Sequence, residues 1–491
     1  MTTRREFLRS VVQPVQAVPG GDELIFLSAK RLAQLIREKR ISAIDVTRAY
    51  ISRIEKVNPK LNAVVQTCFE RALAEARELD SMLAQGRTKG PLHGVPMTIK
   101  DSIDTEGVIS TGGTVGRMNF VPAKDATVVA RLRNAGAVLL GKTNTPEYTL
   151  ARGGVTGIGT TANLIYGITR NPYDLKRSTS GSSGGAGAIV AAGGAAFDIG
   201  SDWGGSIRGP SHNNGITGIK PTMGRVPRTG HIVDFGGVYD SWQQLGPMAR
   251  RVEDLGFILP IIAGPDFRDC AIDPVPWKDP SAVQVPKLRV VFYVENGVAE
   301  TTTETKDIVR RAAKYFADAG CTVKEEFPRD AMMQMEEIRL KLEGADAGAY
   351  LQRLSAKWGT KTMSPALTDR FFRLEQLPMP EFTELLEQQD AARSRLLQWM
   401  RNYDIVISPA AGRPAQPIDG TPTYAPPRPG ADYSRIHNST GWPAAVVRAG
   451  ASPEGLPIGV QIAGQPWRED VVLAACEFLE TKTGGWQKPP L

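Results

Sequence analysis

Residues 181–205 hold nine of the chain's 50 glycines in 25 positions. Hydroxyls punctuate them. Ser178, Thr179, Ser180, Ser182 and Ser183 precede the apolar run Ala186–Ala196, and Ser201 and Ser206 follow it. Close packing of a small-faced helix on a sheet explains the glycines but not the hydroxyls. A glycine loop ending in serine, Trp203-Gly204-Gly205-Ser206, can aim successive N–H groups at one point and leave the hydroxyl exposed, as stabilising a developing oxyanion requires. A serine nucleophile needs a base. With only four histidines in 491 residues, attention passes to lysine. Lys100 ends the apolar stretch Gly94–Ile99, and a lysine drawn into a low-dielectric interior favours its neutral amine. The same position also suits an ion pair with Asp101 or Asp104, the commoner fate of such a lysine. The residues alone leave both readings open.

Two motifs point elsewhere and fail on context. Gly136-Ala-Val-Leu-Leu-Gly141-Lys142-Thr143 fits the phosphate-loop pattern, but a helix precedes it and an apolar strand fills it, whereas a phosphate loop follows a strand and opens a helix. Gly181-Ser182-Ser183-Gly184-Gly185 fits GxSxG, but polar loop residues precede it and no later acid and histidine complete a triad. His93, His212, His231 and His437 form no short cluster, and Cys68, Cys270, Cys321 and Cys476 have no metal-ligand spacing. The cysteines read as buried free thiols, with no metal and no organic cofactor expected.

Alternating strands and helices must position these residues. Leu32, Leu35 and Ile36 share one helical face; Val46, Ala49, Tyr50 and Ile54 share another, after Ser42 at an N-cap position. Gly94–Ile99 reads as a strand, Asp125 as the cap of a helix through Ala135, and Ala137–Leu140 as the next strand. Leu288–Val294, a helix Lys306–Ala319 and a strand from Cys321 form another unit. Strands at Ile405–Ser408, Ala445–Arg448 and Ile458–Ala463 precede a helix around Leu473. This is an α/β sandwich around a largely parallel sheet. Residues 330–400 form a helical insert whose Met332, Met333 and Met335 suit core packing or an adaptable apolar substrate wall. Seven prolines in residues 409–430 mark a long intradomain loop near a site.

Composition sets the outer bounds. Fifty-nine basic against 52 acidic residues give a net charge of +7, with 41% hydrophobic and 23% charged residues, the profile of a globular chain. The charges are intermixed, so nucleic acid is not an expected partner. The longest apolar run, Ala186–Phe197, falls short of the roughly 20 residues a spanning helix needs. Residues 1–26 read as an N-terminal arm: Arg4-Arg5 resembles a twin-arginine export signal, but Gln13, Pro14, Gln16 and Pro19 interrupt the apolar stretch that should follow, which favours a cytoplasmic protein. Residues 27–491 read as one domain.

Four motifs then carry a resemblance. Val95-Pro-Met-Thr-Ile-Lys100-Asp101, Ser180-Gly-Ser-Ser-Gly-Gly185, Gly200-Ser-Asp-Trp-Gly-Gly-Ser-Ile-Arg208 and Gly218-Ile-Lys-Pro-Thr222 resemble the amidase signature family, and the resemblance runs from about Leu27 to Glu480. It takes in Asn438-Ser-Thr-Gly-Trp-Pro443 and Gly455-Leu-Pro-Ile-Gly-Val-Gln461. It implies an α/β/α sandwich on a mixed, mostly parallel sheet and a Ser–Ser–Lys triad. Ser206 matches the nucleophile, Lys100 the base, and Ser182 the bridging serine, which in this family follows a cis peptide. The N–H groups of Trp203, Gly204, Gly205 and Ser206 match the oxyanion hole; Ser183, Asp202 and Arg208 fall in the same motifs as supporting residues. The implied activity is hydrolysis of an amide C–N bond, in an aryl or acyl amide, a carbamate or an ester, by a monomer or homodimer. The alternative is a glutamine-hydrolysing component of a tRNA-dependent transamidation complex. Three departures stand out: Ser180 where glycine is common, Trp203 where a smaller residue is common, and the polar His212-Asn213-Asn214. The Trp203 indole suits either stacking on a substrate or packing under the loop.

Overall fold

Local signals set the frame of the molecule, a computed structural model that describes residues 21–151, 159–233, 235, 237, 241–298, 300–372, 375–420 and 433–491. Most of the N-terminal arm, and residues 421–430 of the proline-rich loop, lie outside the described residues. Ser42 caps the helix Ala43–Leu61 as expected, its hydroxyl accepting from Asp45 N–H at 3.1 Å. Asp125 does not cap the next expected helix, which runs Thr127–Asn134. Its carboxylate takes Glu106 N–H and the Arg133 guanidinium instead, at 2.7 and 2.8 Å, and a charge-assisted bond outcompetes a cap.

The strands are β1 (Val64–Thr67), β2 (Pro96–Lys100), β3 (Val138–Thr143), the two-residue pair β4 (Ala162–Asn163) and β5 (Gly167–Ile168), β6 (Phe197–Asp202), β7 (Thr217–Lys220), β8 (Gln244–Ala249), β9 (Arg289–Phe292), β10 (Thr322–Glu325), β11 (Ile405–Pro409), β12 (Ala444–Ala451) and β13 (Pro457–Gly464). Eleven form one mixed sheet in the order β1-β3-β2-β6-β8-β7-β12-β13-β11-β9-β10. The expected predominance of parallel pairing is not found. Six neighbouring pairs are antiparallel, and four are parallel: β2 with β3 and β6, and β9 with β10 and β11. The antiparallel share comes largely from β1, β6, β7 and β8, whose glycines and polar residues hide them from an apolar-run criterion, and from the β12–β13 hairpin.

Side-chain alternation puts a core on each face of the sheet. Ile405 and Ile407 join one cluster with the helices Ala43–Leu61, Val252–Ile262 and Glu469–Thr483; Val406 joins the other. That second core is roofed by the insert, four helices at Arg329–Gly344, Ala349–Trp358, Pro365–Phe371 and Met379–Met400. Met332 and Met335 are buried in it, so those two methionines serve packing, not a substrate wall. No helix among the described residues is long and apolar enough to cross a membrane.

Candidate active site

The candidate residues meet where β2 and β6 lie side by side. Register pairs Thr98 with Asp198 and Ile99 with Ile199, which carries Lys100 and Ser201 to the same end of the sheet. The helix Gly184–Ala191 starts there. Its second residue must be tiny: a Cβ on Gly185 would lie 2.4 Å from Asn144 N. The loop entering this helix contains the cis bond Gly181–Ser182.

Lys100 is fully buried and makes no ion pair with Asp101 or Asp104. Asp101 is held by Thr111, and Asp104 pairs with Arg117. The Lys100 Nζ donates instead to three hydroxyls, Ser182 at 2.6 Å and Ser183 and Ser201 at 2.9 Å each. Burial pulls the amine down to about 7, against the opposing fields of Asp202 and Asp198. Such a cage accommodates both protonation states. An ammonium has three N–H groups to give; a neutral amine has two and a lone pair that one hydroxyl can fill.

The glycine loop lies opposite. Ser206 is half-buried, and its carbonyl accepts from Ser183 N–H at 3.1 Å, tying the two serine loops together. Its hydroxyl is not hydrogen-bonded to Ser182 among the described residues; such contacts are often long before substrate binds. Asp202 organises the loop from beneath. Its carboxylate accepts from Gly205 N–H at 2.8 Å and Ile207 N–H at 3.0 Å, and forms a two-pronged pair with Arg208 at 2.9 and 3.0 Å, both side chains fully buried. Burial alone would raise this carboxyl, but Arg208 and the hydrogen bonds hold it far below the usual carboxylate range. Because Gly205 N–H is engaged, Gly204 and Ser206 offer the loop's N–H groups without a partner among the described residues.

Sequence reasoning missed several members. Arg208 also donates to Ser434 O (2.7 Å), Gln461 Oε1 (2.8 Å) and Asn438 Oδ1 (2.6 Å). Asn438 and Gln461 stand inside the late motifs, which was the available signal. Asp198, an acid in the otherwise buried β6, accepts from Thr98 at 2.6 Å and Thr143 at 3.0 Å; burial pushes it up to about 7. The Trp203 indole takes the packing alternative: it is buried against Trp242, ring centroids 5.5 Å apart. Asn213 and Asn214 donate to Ser178 O and Thr179 O at 3.1 and 3.0 Å, bracing the loop that leads to Ser182. No histidine bonds Ser182 or Ser206 among the described residues; His212 bonds Gly459 N–H and Arg413 O. Of the cysteines, Cys321 and Cys476 are buried free thiols, Cys68 is half-buried, and Cys270 is exposed, contrary to expectation. No group of three His, Cys, Asp or Glu among the described residues is placed to hold a metal.

A sequence model of the amidase family matches residues 45–473. The chain belongs to the amidase family. This amidase is 32% identical to fatty-acid amide hydrolase 2-B of Danio rerio, with 97% of the chain and 93% of the relative covered. It is 33% identical to a glutamyl-tRNA(Gln) amidotransferase component of Moorella thermoacetica, covering 95% and 99%. Among solved structures, a bacterial aryl acylamidase of the amidase signature family superposes with a TM-score of 0.82 at 28% identity, covering 93% of this chain and 96% of that one. The enzyme class expected from the motifs, an amidohydrolase, is that of these hydrolytic relatives.

Proposed function

We propose that this amidase hydrolyses the C–N bond of a linear amide through a serine acyl-enzyme. The observation that carries the reading is the Lys100 amine, sealed from water, without a paired carboxylate and ringed by hydroxyls. Ser206 Oγ bonds to the carbonyl carbon as its proton passes to Ser182, whose own proton passes to the neutral Nζ of Lys100. Collapse breaks the C–N bond, and the proton returns through Ser182 to the leaving nitrogen. Water then repeats the sequence on the acyl ester and releases the acid. The oxyanion is received by the N–H groups of Gly204 and Ser206, with Trp203 N–H beside them; each such donor is worth about 2.7–4 kcal/mol. Gly205 N–H, engaged by Asp202, shapes the loop instead.

The substrate class is an aryl or acyl amide, with carbamates and esters open to the same acyl chemistry. The test is a panel of para-nitroanilides, nitrophenyl esters, aryl carbamates and glutamine, run on the wild type and on Ser206→Ala. Loss of all turnover in the folded variant is the expected result; retained turnover moves the nucleophile elsewhere. Similarity to the amidotransferase component favours a second reading, glutamine hydrolysis within a transamidation complex. In that case the isolated chain ignores anilides and hydrolyses glutamine only with partner chains.

A further inference from the structure

The fully buried Arg339 reaches the glycine loop from the insert helix Arg329–Gly344. Its guanidinium packs against a pair of indoles that touch each other edge to face, 4.7 Å from the centre of Trp203 and 4.4 Å from that of Trp242. From there Nη2 donates to the Trp203 carbonyl at 2.7 Å, and Nη1 reaches Ser439 Oγ at 3.3 Å. A planar, weakly hydrated cation suits such an aromatic corner as lysine does not.

The consequence lies in the peptide plane. In a trans peptide the C=O and the following N–H point in opposite directions. Holding the Trp203 carbonyl toward the insert therefore aims the Gly204 N–H the other way, away from the insert. Asp202 fixes the next peptide from the opposite flank through Gly205 N–H. The loop is thus gripped on one side by an acid from β6 and on the other by a base some 136 residues later in the chain.

We propose that Arg339 is a positioning residue for the reaction, setting the direction of the Gly204 oxyanion donor by holding the Trp203 carbonyl from its seat against two indoles. This rests on the acyl-enzyme reading above. Arg339 makes the insert part of the catalytic apparatus as well as a roof over the second core. Arg370, which lies 5.4 Å from the centre of the Trp203 ring and pairs with Glu343, buttresses the same indole.

The test compares Arg339→Met, which keeps chain length and removes every donor, with Arg339→Lys, which restores a donor without the planar fork. Each folded variant is assayed for kcat and KM on the best anilide of the panel. Each is also titrated with the trifluoromethyl ketone carrying the same acyl group, which forms a tetrahedral oxyanion adduct on the nucleophile. Displacing one donor should lower kcat about 30- to 100-fold in Arg339→Met, with KM within about threefold and inhibitor affinity falling in step with kcat/KM. Arg339→Lys should fall between, about three- to tenfold. If Arg339→Met does not fold, the lysine variant decides. Wild-type kcat in the decisive variant overturns the proposal, and so does a kcat loss that leaves inhibitor affinity unchanged. An active Ser206→Ala enzyme would sink the acyl-enzyme reading; an inactive one beside a fully active Arg339→Met sinks only the clamp.

Discussion

Acidifying the medium from pH 9 to pH 6 should slow this amidase about tenfold by protonating Lys100. Burial lowers the amine from its free value of 10.5 to about 7, some 3.5 units, which corresponds to about 5 kcal/mol against the cation. In the mechanism proposed above the neutral form is the working base. Log kcat/KM for a nitrophenyl ester should therefore climb with unit slope to an inflection near pH 7 and stay level above it, with about one-tenth of the plateau at pH 6. The same shift acts on stability. Between about 7 and 10.5 the unfolded chain keeps the lysine proton that the folded chain has released, so folding stability gains about 1.36 kcal/mol per pH unit across that window; below it the full penalty applies. Lys100→Met escapes the penalty. Its stability relative to wild type should be about 3 kcal/mol more favourable at pH 6 than at pH 9, measured by denaturant titration with circular dichroism at both values. A rate profile flat from pH 6 to 9, or an inflection near 10, refutes the reasoning; so does a stability difference that ignores pH.

Asp202→Asn should destabilise the fold by about 3–5 kcal/mol in denaturant titration, because it leaves Arg208 buried without its counter-charge; a cost under 1 kcal/mol would show the pair to be incidental. Asp198→Asn removes a field that favours the Lys100 cation, so the acid limb of the rate profile should move to lower pH; a fixed or rising limb counts against that coupling. Gly205 adopts φ +107°, and a Cβ there would lie 2.8 Å from Ser434 Cβ. Gly205→Ala should accordingly cost about 10²-fold in kcat through loop displacement, and near-normal turnover would mean that the loop position is not critical.

Legibility in the sequence followed chemistry more closely than topology. Lys100, Ser182 and Ser206 stood out as candidates through residue type, glycine spacing and family resemblance. Whether Lys100 pairs with its neighbouring acids needed the structure, because only packing shows that Asp101 and Asp104 turn to Thr111 and Arg117. Strands with continuous apolar runs, such as β2, β3 and β11, were readable to within a few residues. β6 and β8 were not: glycine, proline and acids sit in them because the site and its supports are built there, so their periodicity is broken where function is densest. Arg339 carried a weak signal of its own. It shares a helical face with the buried Met335, Ile338 and Leu342, a spacing that places a cation in a core and asks what it touches.

Arg208 joins Asp202 to Ser434, Asn438 and Gln461, partners 226 to 253 residues further along the chain. On the ribosome, where the N-terminal part emerges first, the serines appear long before the groups that brace their loop. A nascent chain, or one cut short before the last strands, holds Ser206 without the groups that brace its loop. On the mechanism proposed above, hydrolytic power should therefore arrive only when the polypeptide is nearly finished.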